Sequence, residues 1–217
     1  MIGIVDYNAG NIKSVERALD FLGASYVRSK NPQELKGASK IIFPGDGDAA
    51  YAMEQLRELE LDVFLREAAN GGIPILGICI GAQIIFDFSE EGNTNCLGLI
   101  PGAIRHFSNL WHEQIANDAC KKKSALKIPH MGWNNVRYEN GACAILDGVP
   151  ENSGFYFVHS YVIQPKEKSV VKGFAEYGAK VPAVIQSKNI FACQFHPEKS
   201  GEAGLQILRN FLEMKNG

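Results

Sequence analysis

A chain of 217 residues with 46% apolar and 21% charged residues has the composition of an ordinary globular protein, which excludes disorder or low complexity as a description of the whole. At this length roughly 70% of the unfolded surface can be buried, so folding needs no disulfide staples. Twenty-two basic residues against 24 acidic ones give a formal charge of -2, which leaves no electrostatic footprint for nucleic acid or an anionic membrane.

The first residues, Met1-Ile2-Gly3-Ile4-Val5-Asp6, carry no basic region of the kind that opens a secretory signal. The uncharged stretch 71–86 contains Pro74, Gly77, Gly81 and Gln83 and is too short to cross a bilayer. The five cysteines are odd in number, widely spaced and without a C-x-x-C pair. That pattern argues against a disulfide framework or a zinc site and for a reducing, cytoplasmic setting. No metal or cofactor is expected.

Along the chain, residues 2–5 form a short apolar strand. Asn11 then stands as N-cap before Ile12, Val15, Leu19 and Leu22 at helical spacing, with Gly23 just past the end. Strands are expected at 24–27 and 40–43, the latter closed by Pro44-Gly45. A helical stretch from about 49 to 69 breaks near Glu60. Residues 73–78 read as a buried strand running into a helix at 80–86. This βαβα alternation predicts a mixed, mainly parallel sheet flanked by helices, with ligands outside the carboxyl ends of its strands. The second half is strand-rich, with expectations at 103–106, 135–138, 155–159, 170–174, 183–186 and 190–194 and a turn at 187–189. Leu205, Leu208, Phe211 and Leu212 mark a closing helix. With no repeat and no linker, the chain is expected to be a single α/β domain over 1–217 whose later strands extend the sheet. The segment 108–127, with Lys121, Lys122 and Lys123, reads as a polar surface excursion.

Gly77-Ile78-Cys79-Ile80-Gly81 is the sharpest local signal. A nucleophile on a tight strand-to-helix turn projects away from the sheet, and small residues two positions to each side relieve crowding. The helix that starts after Cys79 aims N–H groups and positive dipole at the sulfur, which favours thiolate and can help hold an oxyanion. Alternatively, Cys79 is a buried apolar side chain beside packing glycines. A nucleophilic Cys needs a base and a group that orients it. Candidate bases are His130, His159 and His196. His196 follows an apolar strand, and Glu198, just past Pro197, can accept from one imidazole nitrogen and fix the tautomer. Pro44-Gly45-Asp46-Gly47-Asp48 leaves the neighbouring strand, where two glycines allow a peptide N–H to face an oxyanion. The aromatic blocks at 130–134 and 155–161 read as core or as interface anchors.

These motifs together carry a resemblance. Residues 74–83 (PILGICIGAQ) and 194–201 (QFHPEKSG) resemble the class I (triad) glutamine amidotransferases. Residues 5–11 (VDYNAGN), 97–102 (LGLIPG), 129–134 (PHMGWN) and the run 155–161 are similar, within that family, to the glutaminase subunits of imidazole glycerol phosphate synthases. The resemblance implies a flavodoxin-like α/β fold. It further implies hydrolysis of L-glutamine to glutamate and ammonia, and a heterodimer with a cyclase subunit, a (β/α)₈ barrel, that receives the ammonia through a channel during histidine biosynthesis. By position it assigns Cys79 as nucleophile, His196 as acid/base and Glu198 as its orienting carboxylate. It puts Gln83, Glu91, Ser160 and Tyr161 at the substrate and makes Gly45-Asp46-Gly47 the oxyanion strand. Trp133, Tyr156 and Lys199 fall between site and barrel, and Asn8, Asn11 and Asn134 fall on the interface. Asp46 departs from the apolar residue usual there, so its carboxylate is expected to point outward. Alternatives are a paralogue that supplies ammonia for sugar amidation, an idle binding module and a cysteine peptidase. The intact Cys79, His196 and Glu198 argue against the second, and Gln83 with the PHMGWN block against the third.

Overall fold

Strands β1 (Ile2–Val5), β3 (Lys40–Gly45) and β4 (Ile75–Cys79) are buried at every position and apolar except for Lys40, the pattern of central strands covered on both faces. The computed structural model describes residues 1–8, 11–111 and 126–214. In it these strands join β2 (Tyr26–Ser29), β9 (Arg137–Tyr138), β12 (Val171–Glu176), β13 (Lys180–Ser187) and β14 (Ile190–Cys193) in an eight-stranded sheet of order β2-β1-β3-β4-β14-β13-β12-β9. Pairing is parallel from β2 through to β14 and antiparallel beyond it. The reversal occurs at a two-residue turn, since Ser187 pairs with Ile190 and Lys188 takes φ +52°.

Alternate residues feed two apolar layers. Ile41, Phe43 and Ile75 pack with α3 (Ala49–Glu58) and α4 (Leu61–Asn70). Ile4, Ile42, Leu76 and Ile78 pack with α1 (Ile12–Phe21) and a closing helix (Gly201–Glu213), called α6 below. Each fully buried Leu, Ile or Phe contributes roughly 1.5–3 kcal/mol, so these layers dominate the stability of the sheet. The helix break falls where expected, with Glu60 left-handed at φ 56° between α3 and α4.

Several boundaries differ from the sequence reading. Asn11 occupies the N-cap position, yet its side chain makes no cap bond. Strand β2 starts at Tyr26 because Gly23 and Ala24 are consumed in capping α1, donating to Asp20 O and Leu19 O at 3.0 Å each. A short helix α2 (Pro32–Leu35) precedes β3. The later strands do not all extend the main sheet. A separate ribbon pairs β8 (His130–Asn135) with β10 (Gly154–His159), and a four-stranded sheet of order β11-β7-β5-β6 uses Tyr161–Pro165, Gly102–His106, Phe88–Ser89 and Thr94–Asn95. The PHMGWN block is therefore mostly strand, hidden from a propensity reading by its glycine and amides. Most of the expected excursion, including His112, Cys120 and Lys121 to Lys123, lies outside the described residues. Among the described residues no helix is long and apolar enough to cross a membrane.

Candidate active site

β4 ends at Cys79 and α5 (Ile80–Ile84) begins at the next residue, so no spacer separates strand from helix. The backbone manages this turn only by placing Cys79 at φ 55°, ψ -106°, a region that costs a non-glycine residue about 1–3 kcal/mol. The flanking glycines are steric necessities. A Cβ on Gly77 would lie 2.7 Å from the Gly81 carbonyl oxygen, and one on Gly81 would collide with the Phe43 carbonyl oxygen. The elbow thus packs directly on β3, whose Gly45 is the register partner of Cys79.

β14 runs parallel to β4 and delivers His196 at the same carboxyl edge. Pro197–Lys199 form a single turn that folds Glu198 back, and His196 Nδ1 donates to Glu198 Oε1 at 2.8 Å. Ser200 clamps the turn, donating to His196 O at 2.6 Å and accepting from Tyr156 N at 3.0 Å. Burial by itself would push the His196 imidazole down, but hydrogen bonding and charge from Cys79 and Glu198 outweigh it and raise the ring to about 10. Its Nε2 is buried without a conventional hydrogen bond, and Cys79 and His196 line one cavity. A ring that holds a proton this firmly can take it from a thiol and later give it to a leaving amine.

The other two candidate bases are committed elsewhere. His130 Nδ1 and His159 Nε2 lie 2.9 Å apart, and His159 Nδ1 lies 2.7 Å from Tyr161 O. Burial lowers His130 to about 4. His159 falls to about 3, chiefly through burial, and the Tyr161 bond offsets only part of that.

The cavity has a volume of about 270 Å³. Gln83, Glu91, Asp46, Gly47, Ser160 and Tyr161 all line it. Gln83 is buried and donates from Nε2 to Tyr161 O at 3.2 Å and to Gln194 Oε1 at 3.0 Å, while its Oε1 has no partner. Glu91 Oε2 accepts from Ala49 N at 2.9 Å. Burial raises its carboxyl group, against that bond and with help from Asp48. Asp46 is exposed, and it is also one of the residues that line the cavity. Gly45 is not a lining residue but the close-packed base of that loop, since a Cβ there would strike the Tyr7 hydroxyl.

The residues expected at an interface fall in two groups. Trp133 is 61% exposed and sits across the ribbon from Tyr156, ring centroids 6.4 Å apart, with Met131 equally exposed on the same edge. Lys199 belongs to the turn that carries Glu198, and Asn134 bonds His130 and the Glu176 carbonyl. Asn8 and Asn11 instead line a polar cleft with Lys13 and Lys30 after β1. Sequence reasoning missed Tyr7 and Gln194. Tyr7 is fully buried with an unpartnered hydroxyl, its ionisation pushed well above the usual range by burial and then by Cys79 and Asp46. Gln194 stands two residues before His196, a spacing that points both toward the same side of a strand.

With this geometry the comparisons with known proteins agree. Residues 3–214 match the family model of glutamine amidotransferase class-I. The chain is 43% identical over 211 residues to "Imidazole glycerol phosphate synthase subunit HisH" of Nitratidesulfovibrio vulgaris strain Hildenborough, covering 97% of this chain and 95% of that one. It is 44% identical over 218 residues to the protein of the same name from Geobacillus thermodenitrificans, covering 100% and 97%. Among solved structures, a glutamine amidotransferase superposes with TM-score 0.71 at 19% identity, covering 98% of this chain and 97% of that one, which bears on the fold alone. The chain belongs to the class-I glutamine amidotransferases.

Proposed function

We propose that this protein is the glutaminase subunit of an imidazole glycerol phosphate synthase in histidine biosynthesis, acting as one domain over 1–217 in the cytoplasm. The observation that carries it is the single cavity shared by Cys79 and His196, with Glu198 hydrogen-bonded behind the imidazole. The names and near full-length identity of its relatives support the synthase, and their biosynthetic role supports the location.

In this reading L-glutamine occupies the cavity with its side-chain amide carbon against the Cys79 sulfur. Gln83, Glu91, Ser160 and Tyr161 hold its amino-acid end. The thiol proton passes to His196 Nε2 as sulfur attacks. The resulting oxyanion is held by N–H groups at the start of α5 and along Gly45-Asp46-Gly47. His196 then protonates the departing nitrogen, ammonia leaves, and a thioester remains on Cys79. Water, deprotonated by the same imidazole, releases glutamate and restores the thiol. Glu198 stays ionised throughout and holds the tautomer.

Ammonia becomes non-nucleophilic once protonated in bulk water, so the site gains by opening toward a partner. The exposed Trp133 and Met131 with Tyr156 form an apolar face suited to docking, Lys199 and Asn134 are assigned to the same interface, and Asn8 and Asn11 would add polar contacts from the separate cleft after β1. The partner in this reading is the cyclase subunit, a (β/α)₈ barrel.

The test is reconstitution with the cognate cyclase subunit. Cys79→Ala should abolish glutamine-dependent turnover while ammonium salts still support cyclisation. Glutamate release by Cys79→Ala at the wild-type rate would overturn the assignment.

A further inference from the structure

Two buried histidines take no part in the chemistry above, yet they join the two surfaces it needs. His130 opens β8 and His159 closes β10, directly opposite each other in the ribbon register. Both are buried, and only His159 lines the catalytic cavity. We propose that they form a directional hydrogen-bond relay from the docking ribbon to the glutamine pocket, in which His130 is a positioning residue that sets the affinity for glutamine without touching it. This rests on the glutaminase reading and deepens it.

The direction of every bond follows from one end. The Tyr161 carbonyl oxygen can only accept, so His159 must carry its proton on Nδ1, 2.7 Å away. The neutral ring then offers Nε2 as an acceptor, so His130 must donate from Nδ1 across 2.9 Å. His130 Nε2 is left to accept, and Asn134 presents its Nδ2 at 3.2 Å. The second Nδ2 hydrogen goes to Glu176 O at 3.0 Å, and Asn134 Oδ1 accepts from Asn135 N at 2.8 Å. No group in the chain is left with a spare donor or acceptor of the wrong kind, so no ring can turn over alone.

At the inner end, Tyr161 O also accepts from Gln83 Nε2, the side chain whose Oε1 is buried and unpartnered in the cavity wall. Rotating the 159–161 corner would therefore move the carbonyl that orients Gln83 and the Ser160-Tyr161 peptide together. At the outer end, Asn134 neighbours the exposed Trp133 on the docking face. The His130 ring is held between Phe157 and Tyr177, stacked at centroid distances of 4.6 and 4.0 Å. Stacking fixes its plane, and the hydrogen bonds fix its rotation.

Those stacking partners make the test clean. His130→Phe keeps an aromatic ring in the slot and cuts the relay, whereas His130→Asn retains a donor near the Nδ1 position. Glutamine affinity is measured by calorimetry in a Cys79→Ala background, where nothing turns over, in the complex with the cyclase subunit. Adding His130→Phe should weaken glutamine binding by about tenfold, the loss of one well-placed hydrogen bond, and His130→Asn should recover most of it. In the active enzyme the same change should appear in KM more than in kcat. Nitrogen-15 imidazole shifts should report the Nδ1–H tautomer at both rings. Binding within about twofold of the parent in His130→Phe, or an Nε2–H tautomer at either ring, overturns the relay and leaves the glutaminase reading standing. If Cys79→Ala itself fails to bind glutamine, the glutaminase reading falls and the relay with it. Should His130→Phe fold poorly, the tautomer measurement on the unmodified protein decides alone.

Discussion

His196 and Glu198 share a 2.8 Å hydrogen bond although only Pro197 separates them, and both side chains are almost wholly removed from water. A residue pair this close in sequence can meet only if the chain turns sharply, which the Pro197–Lys199 turn does. The carboxylate holds the Nδ1–H tautomer and leaves Nε2 for sulfur. Replacing Glu198 with Gln allows the amide to donate and invites the wrong tautomer. Glutamate release should fall by about 10²–10⁴ in kcat with the fold intact, in line with the cost of losing the orienting acid in other triads. Glutaminase assays beside circular dichroism check both halves. Near-normal activity in Glu198→Gln would remove the carboxylate from the mechanism.

The elbow glycines make a steric prediction. Gly81→Ala would drive a methyl group into the Phe43 carbonyl and should cost about 1–3 kcal/mol or more, with loss of activity as Cys79 shifts. Gly37→Ala meets no atom within 4 Å at an exposed position and should be silent, which makes it the matched control. Chemical denaturation of the two variants separates them. Equal midpoints would mean the elbow relaxes freely.

Tyr7 predicts a gain. Its hydroxyl is buried, without a hydrogen-bond partner, against Gly45. A buried hydroxyl with no partner costs about 1–3 kcal/mol, so Tyr7→Phe should stabilise the free subunit by around 1 kcal/mol, about 2–4 °C in Tm at this size. Differential scanning fluorimetry reads it directly. A lower Tm would show that the hydroxyl has a partner after all.

Stability should depend on pH through the histidines, with opposite signs on the two limbs. His130 and His159 sit at about 4 and about 3, below the ordinary 6.5. From about pH 6.5 down to their folded values, the unfolded chain binds protons that the folded one refuses. Stability should fall there by up to about 1.4 kcal/mol per pH unit for each ring. His196 is raised to about 10, so its contribution is fully present below about 6.5 and is lost as pH climbs toward 10. Urea midpoints between pH 4.5 and 7 should show a shallower slope for His130→Phe than for wild type. Parallel slopes would mean that the ring is protonated in the folded state.

Much of this molecule is written in local pattern. Apolar runs at 2–5, 40–43 and 73–78, each followed by helical spacing, are enough to announce a parallel sheet with a site at its carboxyl edge. Gly77-Ile78-Cys79-Ile80-Gly81 announces an elbow because tight turns and close backbone approach demand small residues at those positions. His196-Pro197-Glu198 is readable as a base with its orienting acid, since the two side chains need only one turn to meet. These are short-range constraints, and a linear string carries them.

The sequence favours His196 as the histidine that faces Cys79, through the Glu198 behind it, but cannot by itself place it there. His130, His159 and His196 all stand at strand ends, and only the parallel alignment of β14 beside β4 puts His196 opposite the sulfur while the antiparallel ribbon turns the other two toward each other. Half of the ribbon is legible, β10 as the strand expected at 155–159, whereas Gly132 and the amides of Asn134 and Asn135 blur the alternation of β8 and hide the pairing. Strand order and register arise from burying apolar faces far apart in the chain, a cooperative choice that no single segment encodes. The motifs named the chemical groups, and packing chose which of them meet.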